Sequence, residues 1–338
     1  MKASWCRYRL DFNFVARTSR ESLTHKYTYF IRVTDDHGRT GIGEAALFPG
    51  LSCDDRPGYE RKLDEVCRGI DGFVRLRDWP SIQMGVESAL LSLWGDGILF
   101  DSPWIRDARP LVINGLVWMG SREEMMRRME EKVQVGFRCV KIKIGGIDFP
   151  SELEMLRELR AIAPRVELRL DANGAFSPSE ALHRLDQLAR FDIHSIEQPV
   201  RQGNLTEMAR ICRQSPIRIA LDEELIGLND DDSRRRMLET VRPDYIILKP
   251  TLVGGFSACD EWIALADEVG AGWWATSALE SNVGLGAIAQ WVASRRPSIP
   301  QGLGTGQIYS NNTPPSTILR GDEMFYDASR STDSCLPF

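Results

Sequence analysis

The amino-acid sequence predicts an α/β fold in which a closed barrel of alternating strands and helices follows a smaller α+β domain. The chain has 338 residues, which is more than one hydrophobic core usually organises unless that core is a barrel. From about Pro110 onward, short β-branched runs alternate with helical patterns. The residues before Asp101 lack this alternation, so two units of unequal size are expected.

The first unit contains three strand patterns and two helical patterns. Its predicted elements are the strands Trp5–Val15, Tyr27–Thr34 and Arg39–Ala45 and the helices Gly58–Arg68 and Met84–Trp94. Asp35 to Gly38 is a turn between the second and third strands. We therefore expect an α+β domain over residues 1–105, joined by part of a loop-like tail at 314–338, and a barrel over residues 106–313.

The second unit contains eight strand candidates. They are Leu111–Val117, Cys139–Ile144, Val166–Asp171, Ile193–Glu197, Ile217–Asp222, Tyr245–Lys249, Gly272–Thr276 and a weak segment near Gln301–Thr305. The helical windows between them include Ser121–Val135, Ser151–Ile162, Ser179–Phe191, Leu205–Arg213, Ser257–Val269 and Leu285–Ser294. Such alternation implies parallel βαβ units, and eight of them fit a closed (β/α)8-type barrel better than the alternative, an open doubly wound sheet.

Composition narrows the class of protein. A net charge of −6 without a long Lys/Arg block argues against a nucleic-acid partner, since Arg234 to Arg236 is short and follows three aspartates. The sequence has no apolar run of membrane-spanning length and no signal peptide at its N-terminus. Seven cysteines without a C-x-x-C pair fit reduced thiols. We expect a cytoplasmic protein without a membrane partner; its oligomeric state stays open.

Charged residues end one predicted barrel strand after another. They are Lys141, Lys143, Asp171, Glu197, Asp222 and Lys249. Successive separations from Lys143 onward are 28, 26, 25 and 27 residues, each the length of one βα unit. A single charge at a strand end is most often a solvated rim residue. Repetition at this spacing instead predicts that the six side chains meet at the mouth of the barrel, where active sites lie.

These residue types suit one kind of chemistry. Three carboxylates form an oxygen site of the kind that Mg²⁺ prefers, and zinc is disfavoured because no His or Cys joins them. Lys141 and Lys143 face the same side of their strand. A second cation and a bound metal are expected to lower a lysine pKa and make it a general base, with Lys249 entering from the opposite side. Proton abstraction beside a carboxylate, through an enediolate, follows from this arrangement.

Five short motifs carry a family resemblance. They are Lys141-Ile142-Lys143, Leu170-Asp171-Ala172-Asn173-Gly174, Ile196-Glu197-Gln198-Pro199, Leu221-Asp222-Glu223 and Leu248-Lys249-Pro250. Together they resemble the muconate-lactonizing-enzyme branch of the enolase superfamily. The resemblance implies a (β/α)7β-type TIM barrel with an N-terminal α+β capping domain completed by the C-terminal tail. It also implies Mg²⁺, with Mn²⁺ as a possible substitute, on Asp171, Glu197 and Asp222.

Within this branch the chain is most similar to the o-succinylbenzoate synthases. The segments Thr276–Ser281, Lys249–Gly255 and Phe48–Ser52 resemble theirs, the last as a mobile loop over the substrate. The resemblance implies a lyase of menaquinone biosynthesis that dehydrates a small cyclohexadiene carboxylate in the syn sense, with Lys143 as base and Lys249 as a stabilising cation. The expected substrate-binding residues are Lys141, Ser277, Gly50 and Arg20, with Arg17 as a further candidate. Asn173 and Glu223 are expected to support the metal ligands.

Two alternatives remain open. An N-succinylamino acid racemase or dipeptide epimerase on the same scaffold would use Lys143 and Lys249 as bases on opposite faces. Dipeptide epimerases of this family usually have a D-x-D near the eighth strand, and Gly302–Gln307 contains no carboxylate. A non-catalytic barrel kept for binding is the other alternative, and the presence of all six charged residues argues against it.

Overall fold

The computed structural model describes residues 1–17, 22–329, 336 and 338. Its first sheet is antiparallel, with strands β1 (Lys2–Arg17), β2 (Ser22–Thr34) and β3 (Thr40–Ala45) in that order. Helices α1 (Tyr59–Arg68) and α2 (Pro80–Trp94) pack on it around a core of their own. The strands and helices predicted for this part of the chain are therefore present, and α2 begins four residues earlier than predicted.

Seven parallel strands form a second sheet in sequence order. After the short strand β4 (Leu111–Val112), they are β5 (Gly115–Val117), β6 (Cys139–Lys143), β7 (Glu167–Asp171), β8 (Ile193–Glu197), β9 (Arg218–Leu221), β10 (Tyr245–Leu248) and β11 (Gly272–Ala275). The eighth position is only a pair of bridges, Gln301 to Ile113 and Gly302 to Thr276. These bridges join the last strand to the first, so the sheet curls into a (β/α)7β barrel, as expected.

Helices alternate with the barrel strands. They are α3 (Pro103–Arg106), α4 (Arg122–Val135), α5 (Phe149–Ile162), α6 (Ala181–Leu188), α7 (Leu205–Gln214), α8 (Asp231–Val241), α9 (Pro250–Val253), α10 (Gly255–Val269) and α11 (Asn282–Arg295). The predicted capping box at the start of α4 is present, with Ser121 and Glu124 each bonded to the other's backbone amide. Only α8 among the longer helices has no counterpart in the windows named from the sequence.

The tail after Pro314 was expected to be a loop, and here the structure differs. It forms a hairpin of β12 (Thr317–Arg320) and β13 (Glu323–Tyr326), and β13 pairs with β4 rather than with the first sheet. Alternation of apolar and polar residues over so few positions is too short a pattern to separate strand from loop. At the chain end, the Phe338 ring lies 4.5 Å from the Arg32 guanidinium of β2.

The first sheet and its helices are joined to the barrel by a partly buried carboxylate. Glu87 of α2 accepts hydrogen bonds from the amides of Phe256, at 2.6 Å, and Ser257, at 3.3 Å. Amides in the first turn of α10 have no carbonyl partner within the helix. The Glu87 side chain of the first unit therefore supplies the acceptor for the helix N-terminus in the barrel. None of the helices in the described residues is both long and apolar enough to span a membrane.

Candidate active site

The barrel mouth brings the predicted charged residues together. Lys143, Asp171 and Glu197 are the last residues of their strands and lie side by side in register. Asp222 and Lys249 directly follow β9 and β10. Asp171, Glu197 and Asp222 are each no more than 2% exposed, so burial alone would destabilise their charged forms.

A cavity opens at this mouth. Its lining residues are Phe48, Leu51, Asn114, Leu116, Trp118, Lys141, Lys143, Asp171, Asn173, Glu223, Lys249, Thr276, Ser277, Ala278, Leu279, Gly302, Gly304 and Thr305. The lining therefore combines charged and polar groups with aromatic and aliphatic side chains. Glu197 and Asp222 lie just behind the wall, in contact with the lysines that line it.

Two lysines share one carboxylate on the β6–β7 side of the cavity. The Lys141 ammonium lies 3.0 Å from Asp171 and 2.9 Å from Glu197. The Lys143 ammonium lies 3.1 Å from the same Asp171 oxygen and donates to the Asn173 side chain at 2.6 Å. Asn173, expected to support the metal ligands, also lines the cavity and contacts the predicted base directly.

Lys249 lies on the far side of the barrel. Its strand, β10, is four positions from β6 in a barrel of eight, which is halfway around. The Lys249 ammonium forms a close ion pair with Asp222. A molecule in the cavity would therefore have Lys143 on one side and Lys249 on the other.

The neighbouring carboxylates raise the pKa of two of the lysines, Lys141 and Lys249. Burial lowers the pKa of Lys141, but Asp171 and Glu197 outweigh it, and the pKa is raised above its usual value. The pKa of Lys249 is also raised, because Asp222 and Glu197 outweigh the effect of burial. Burial, then Asp171, raises the pKa of Glu197 to about 8. The lowering of a lysine pKa expected from the sequence depends on a bound cation and stays a prediction.

The donor set fits a divalent cation. Among the described residues, no three His, Cys, Asp or Glu side chains lie close enough together to hold a metal. The ammonium groups of Lys141 and Lys249 lie against the carboxylates. Three buried carboxylates on adjacent strands are nevertheless the oxygen ligands that Mg²⁺ prefers. Glu223 adds a fourth, and its Oε2 is buried without a hydrogen-bond partner. When all four carboxylates are ionised they outnumber the three ammonium groups by one, so the site favours a cation.

Gln198 positions Asp222, and sequence reasoning assigned it no role. Its side-chain oxygen accepts from the amides of Asp222, at 3.2 Å, and Glu224, at 3.3 Å. Its backbone is left-handed, with φ of 41°, a conformation that non-glycine residues rarely adopt. Asn173 has a similar φ of 43°. Gln198 comes one residue after the strand-end Glu197, and Asn173 two residues after Asp171; this closeness to a strand-end carboxylate was the available signal in the sequence.

The predicted substrate-binding residues have different outcomes. Lys141 and Ser277 line the cavity, and the Ser277 hydroxyl lies 2.5 Å from that of Thr305. Gly50 is exposed in a turn, with φ of 68°, and is not part of the lining, although Phe48 and Leu51 of the same loop are. Arg20 lies outside the described residues, and so does the side chain of Arg17.

Comparisons with known proteins agree with this architecture. The family model described as "Enolase C-terminal domain-like" matches residues 124–312. An o-succinylbenzoate synthase of Desulfotalea psychrophila is 43% identical, covering 95% of this chain and 98% of the relative. An N-succinylamino acid racemase of Thermus thermophilus is 34% identical over 63% of this chain and 57% of its own length.

Among solved structures, MenC of Desulfotalea psychrophila has a TM-score of 0.85 and 41% identity, covering 96% of this chain and 99% of that one. The similarity extends over both the first sheet and the barrel, because so little of either chain is left uncovered. The motifs that carry the resemblance at Lys141, Asp171 and Lys249 fall within the matched family model. The chain belongs to the enolase superfamily.

Proposed function

We propose that this protein is an o-succinylbenzoate synthase, a lyase that removes water from a cyclohexadiene carboxylate in the syn sense. The observation that carries the proposal is one cavity with Lys143 and Lys249 on opposite sides and buried carboxylates beside each. The o-succinylbenzoate synthase that matches this chain over nearly its whole length supports the choice of substrate. The product is an intermediate in menaquinone biosynthesis.

Lys143 would remove the proton next to the substrate carboxylate. It lines the cavity, and its hydrogen bonds to Asp171 and Asn173 hold the amine in place. As the C–H bond breaks, charge builds on the substrate carboxylate, and the ammonium groups of Lys141 and Lys249 would stabilise it. In a syn elimination the leaving hydroxyl departs from the same face, so Lys143 can return the proton to it and water leaves.

Enzymes of this superfamily depend on a divalent metal ion. Asp171, Glu197 and Asp222 would hold it here, and we propose Mg²⁺, with Mn²⁺ as a substitute. When bound, the ion supplies positive charge that stabilises a dianionic enediolate. Asn173 bonds Glu223 at 3.0 Å, and Gln198 bonds the Asp222 backbone, so these residues would keep the ligands in place.

The apolar wall would exclude water and bind the ring and side chain of the substrate. Phe48 and Leu51 come from the loop after β3, while Leu116 and Trp118 come from the end of β5. A loop that contributes two apolar residues to a cavity at its edge is suited to be a lid. Closure would strengthen the electrostatic interactions between the substrate and the lysines.

A second candidate is N-succinylamino acid racemase activity, which the racemase relative favours. Opposed lysines suit removal of a proton from one face and delivery to the other. Dipeptide epimerase activity is less well supported, because Gly302, Gly304 and Thr305 line the cavity where a carboxylate would have to hold a substrate ammonium.

A direct assay tests the proposal. The purified protein with Mg²⁺ is incubated with the cyclohexadiene substrate of the synthase and, separately, with N-succinylamino acids of one configuration. We expect dehydration in the first reaction and its loss when the metal is chelated. Racemisation without dehydration would overturn the proposal in favour of the second candidate.

A further inference from the structure

A second buried charge cluster lies between the first sheet and the barrel, apart from the proposed catalytic residues. Lys26 and Glu44 of the first sheet are 2% and 0% exposed, and Glu280 after β11 is 0% exposed. Glu44 accepts bonds from the Ser281 amide at 2.9 Å and the Gly284 amide at 2.8 Å. The cluster therefore joins β2 and β3 to the segment between β11 and α11.

Within this cluster, Lys26 binds one backbone carbonyl across the interface. Its ammonium donates to the Leu279 carbonyl at 3.0 Å, and the Tyr309 hydroxyl donates to the same oxygen at 2.7 Å. Leu279 has φ of 60°, in the left-handed region that a leucine rarely adopts. Such a backbone persists only where its surroundings hold it, and two donors converge on this peptide.

The peptide that Lys26 holds is part of the cavity wall. Ser277, Ala278 and Leu279 all line the cavity. On its other side, the Lys26 ammonium lies 5.8 Å from the centre of the Phe48 ring, which belongs to the proposed lid. One side chain thus lies next to both the proposed lid and the wall at Leu279, although it does not itself line the cavity.

We propose that Lys26 is a positioning residue that sets the shape of the substrate-binding wall through the Leu279 carbonyl. A role confined to holding the two units together would not need a buried ammonium, because an apolar side chain of similar volume is often as stable at such a site. Burial lowers the pKa of Lys26, and Glu44 and then Glu280 oppose that shift. The two carboxylates therefore favour the ammonium form next to Leu279, against the effect of burial.

The kinetic part of the test rests on the proposed function. The wall carries no group that exchanges a proton in the proposed reaction, so it would contact the substrate equally in the ground and transition states. Loss of such contacts raises KM and leaves kcat nearly unchanged. For Lys26→Met we expect KM for the synthase substrate to rise on the order of tenfold, the effect of one lost bond to a charged donor.

A matched control separates positioning from simple attachment. Glu87→Gln weakens a different, partly buried contact between the same two units, at the Phe256 and Ser257 amides, away from the cavity. Amide hydrogen exchange should rise over residues 277–284 in Lys26→Met and over residues 255–258 in Glu87→Gln, and KM should change only in the first. The same exchange pattern and the same KM in both variants would overturn the proposal.

Tyr309→Phe is a second variant that tests the proposal even if Lys26→Met does not fold. It removes the second donor to the Leu279 carbonyl but leaves every buried charge in place, so we expect a smaller change in the same direction. If both variants fold, unchanged amide exchange over residues 277–284 in both would refute the proposal. If Lys26→Met does not fold, unchanged exchange in Tyr309→Phe would refute it. If the wild type lacks dehydratase activity, the proposed function fails, while the exchange measurements still decide the role of Lys26.

Discussion

At the level of single residues, Lys143 and Lys249 differ in their partners. Lys143 is bonded to Asp171 and to the neutral amide of Asn173, whereas Lys249 is paired closely with Asp222. The raised pKa of Lys249, caused by Asp222 and Glu197 against burial, favours its ammonium form. A permanent cation suits the role of stabilising a developing negative charge better than that of a base.

Lys249→Arg tests this difference. Guanidinium keeps the positive charge but does not readily release a proton, so a role as a cation survives the change and a role in proton delivery does not. We expect measurable dehydratase activity and racemase activity at background, measured on the two substrate classes. Equal loss of both activities, with metal binding and circular dichroism unchanged, would show that Lys249 does more than supply charge.

Asp222→Asn tests the proposed metal site. The change removes one of the three carboxylates, and loss of a residue that merely supports a ligand already weakens metal affinity by about 10–100-fold. We expect Mg²⁺ affinity, measured by calorimetry, to fall at least that far and turnover to collapse. Folding should persist, because the mouth of a barrel is not its core.

Asp244→Asn is the matched control for that variant. Asp244 accepts a bond from the Ile219 amide at 2.8 Å, near the opposite end of β9 from Asp222. Its substitution should leave Mg²⁺ affinity unchanged. Unaltered affinity in Asp222→Asn as well would remove that residue from the metal site.

At the level of elements, β3 and α2 approach each other too closely for side chains at Gly41 and Gly43. A Cβ atom at Gly43 would lie 1.9 Å from the Gly85 carbonyl oxygen and 2.7 Å from the Ala89 amide nitrogen, and both are backbone atoms. The helix must therefore move if Gly43 is replaced. Glu44 follows in the chain, so such a shift would also disturb the buried cluster at Lys26.

Gly43→Ala is expected to lower the free energy of unfolding by about 1–3 kcal/mol, the usual cost of overpacking. Gly72→Ala is the control, because a Cβ there has nothing within 4 Å and no positive φ is involved. It should change stability by less than about 0.5 kcal/mol. Thermal unfolding of both variants decides the matter, and equal melting temperatures would contradict the close packing of β3 on α2.

The elements themselves were largely predictable because their signals are local. β-branched runs mark the barrel strands, and the capping box at Ser121 marks the start of α4. The tail hairpin was missed because its four-residue strands are stabilised by pairing with β4, a partner about 200 residues away in sequence. Propensity over so few residues does not reveal such a partner.

At the level of the whole molecule, barrel closure turns sequence spacing into a site. Separations of 25 to 28 residues between strand-end charges are each one βα unit, and closure directs the ends of all those units to one mouth. This regularity is why Lys143, Asp171, Glu197, Asp222 and Lys249 could be named as candidate site residues before their positions were known. Their proposed roles as base, cation and metal ligands await the experiments above.

The sequence by itself determined the fold class, the order of the strands and the residues that gather at the barrel mouth, because strand periodicity, helix capping and unit length are local properties. Only the tertiary structure decided which groups touch. Asn173 contacts Lys143 directly, Gln198 holds the backbone of Asp222, and Lys26 bonds the Leu279 carbonyl 253 residues away. Contacts of this kind depend on how the first sheet meets the closed barrel, and no pattern within a short window of sequence encodes that approach.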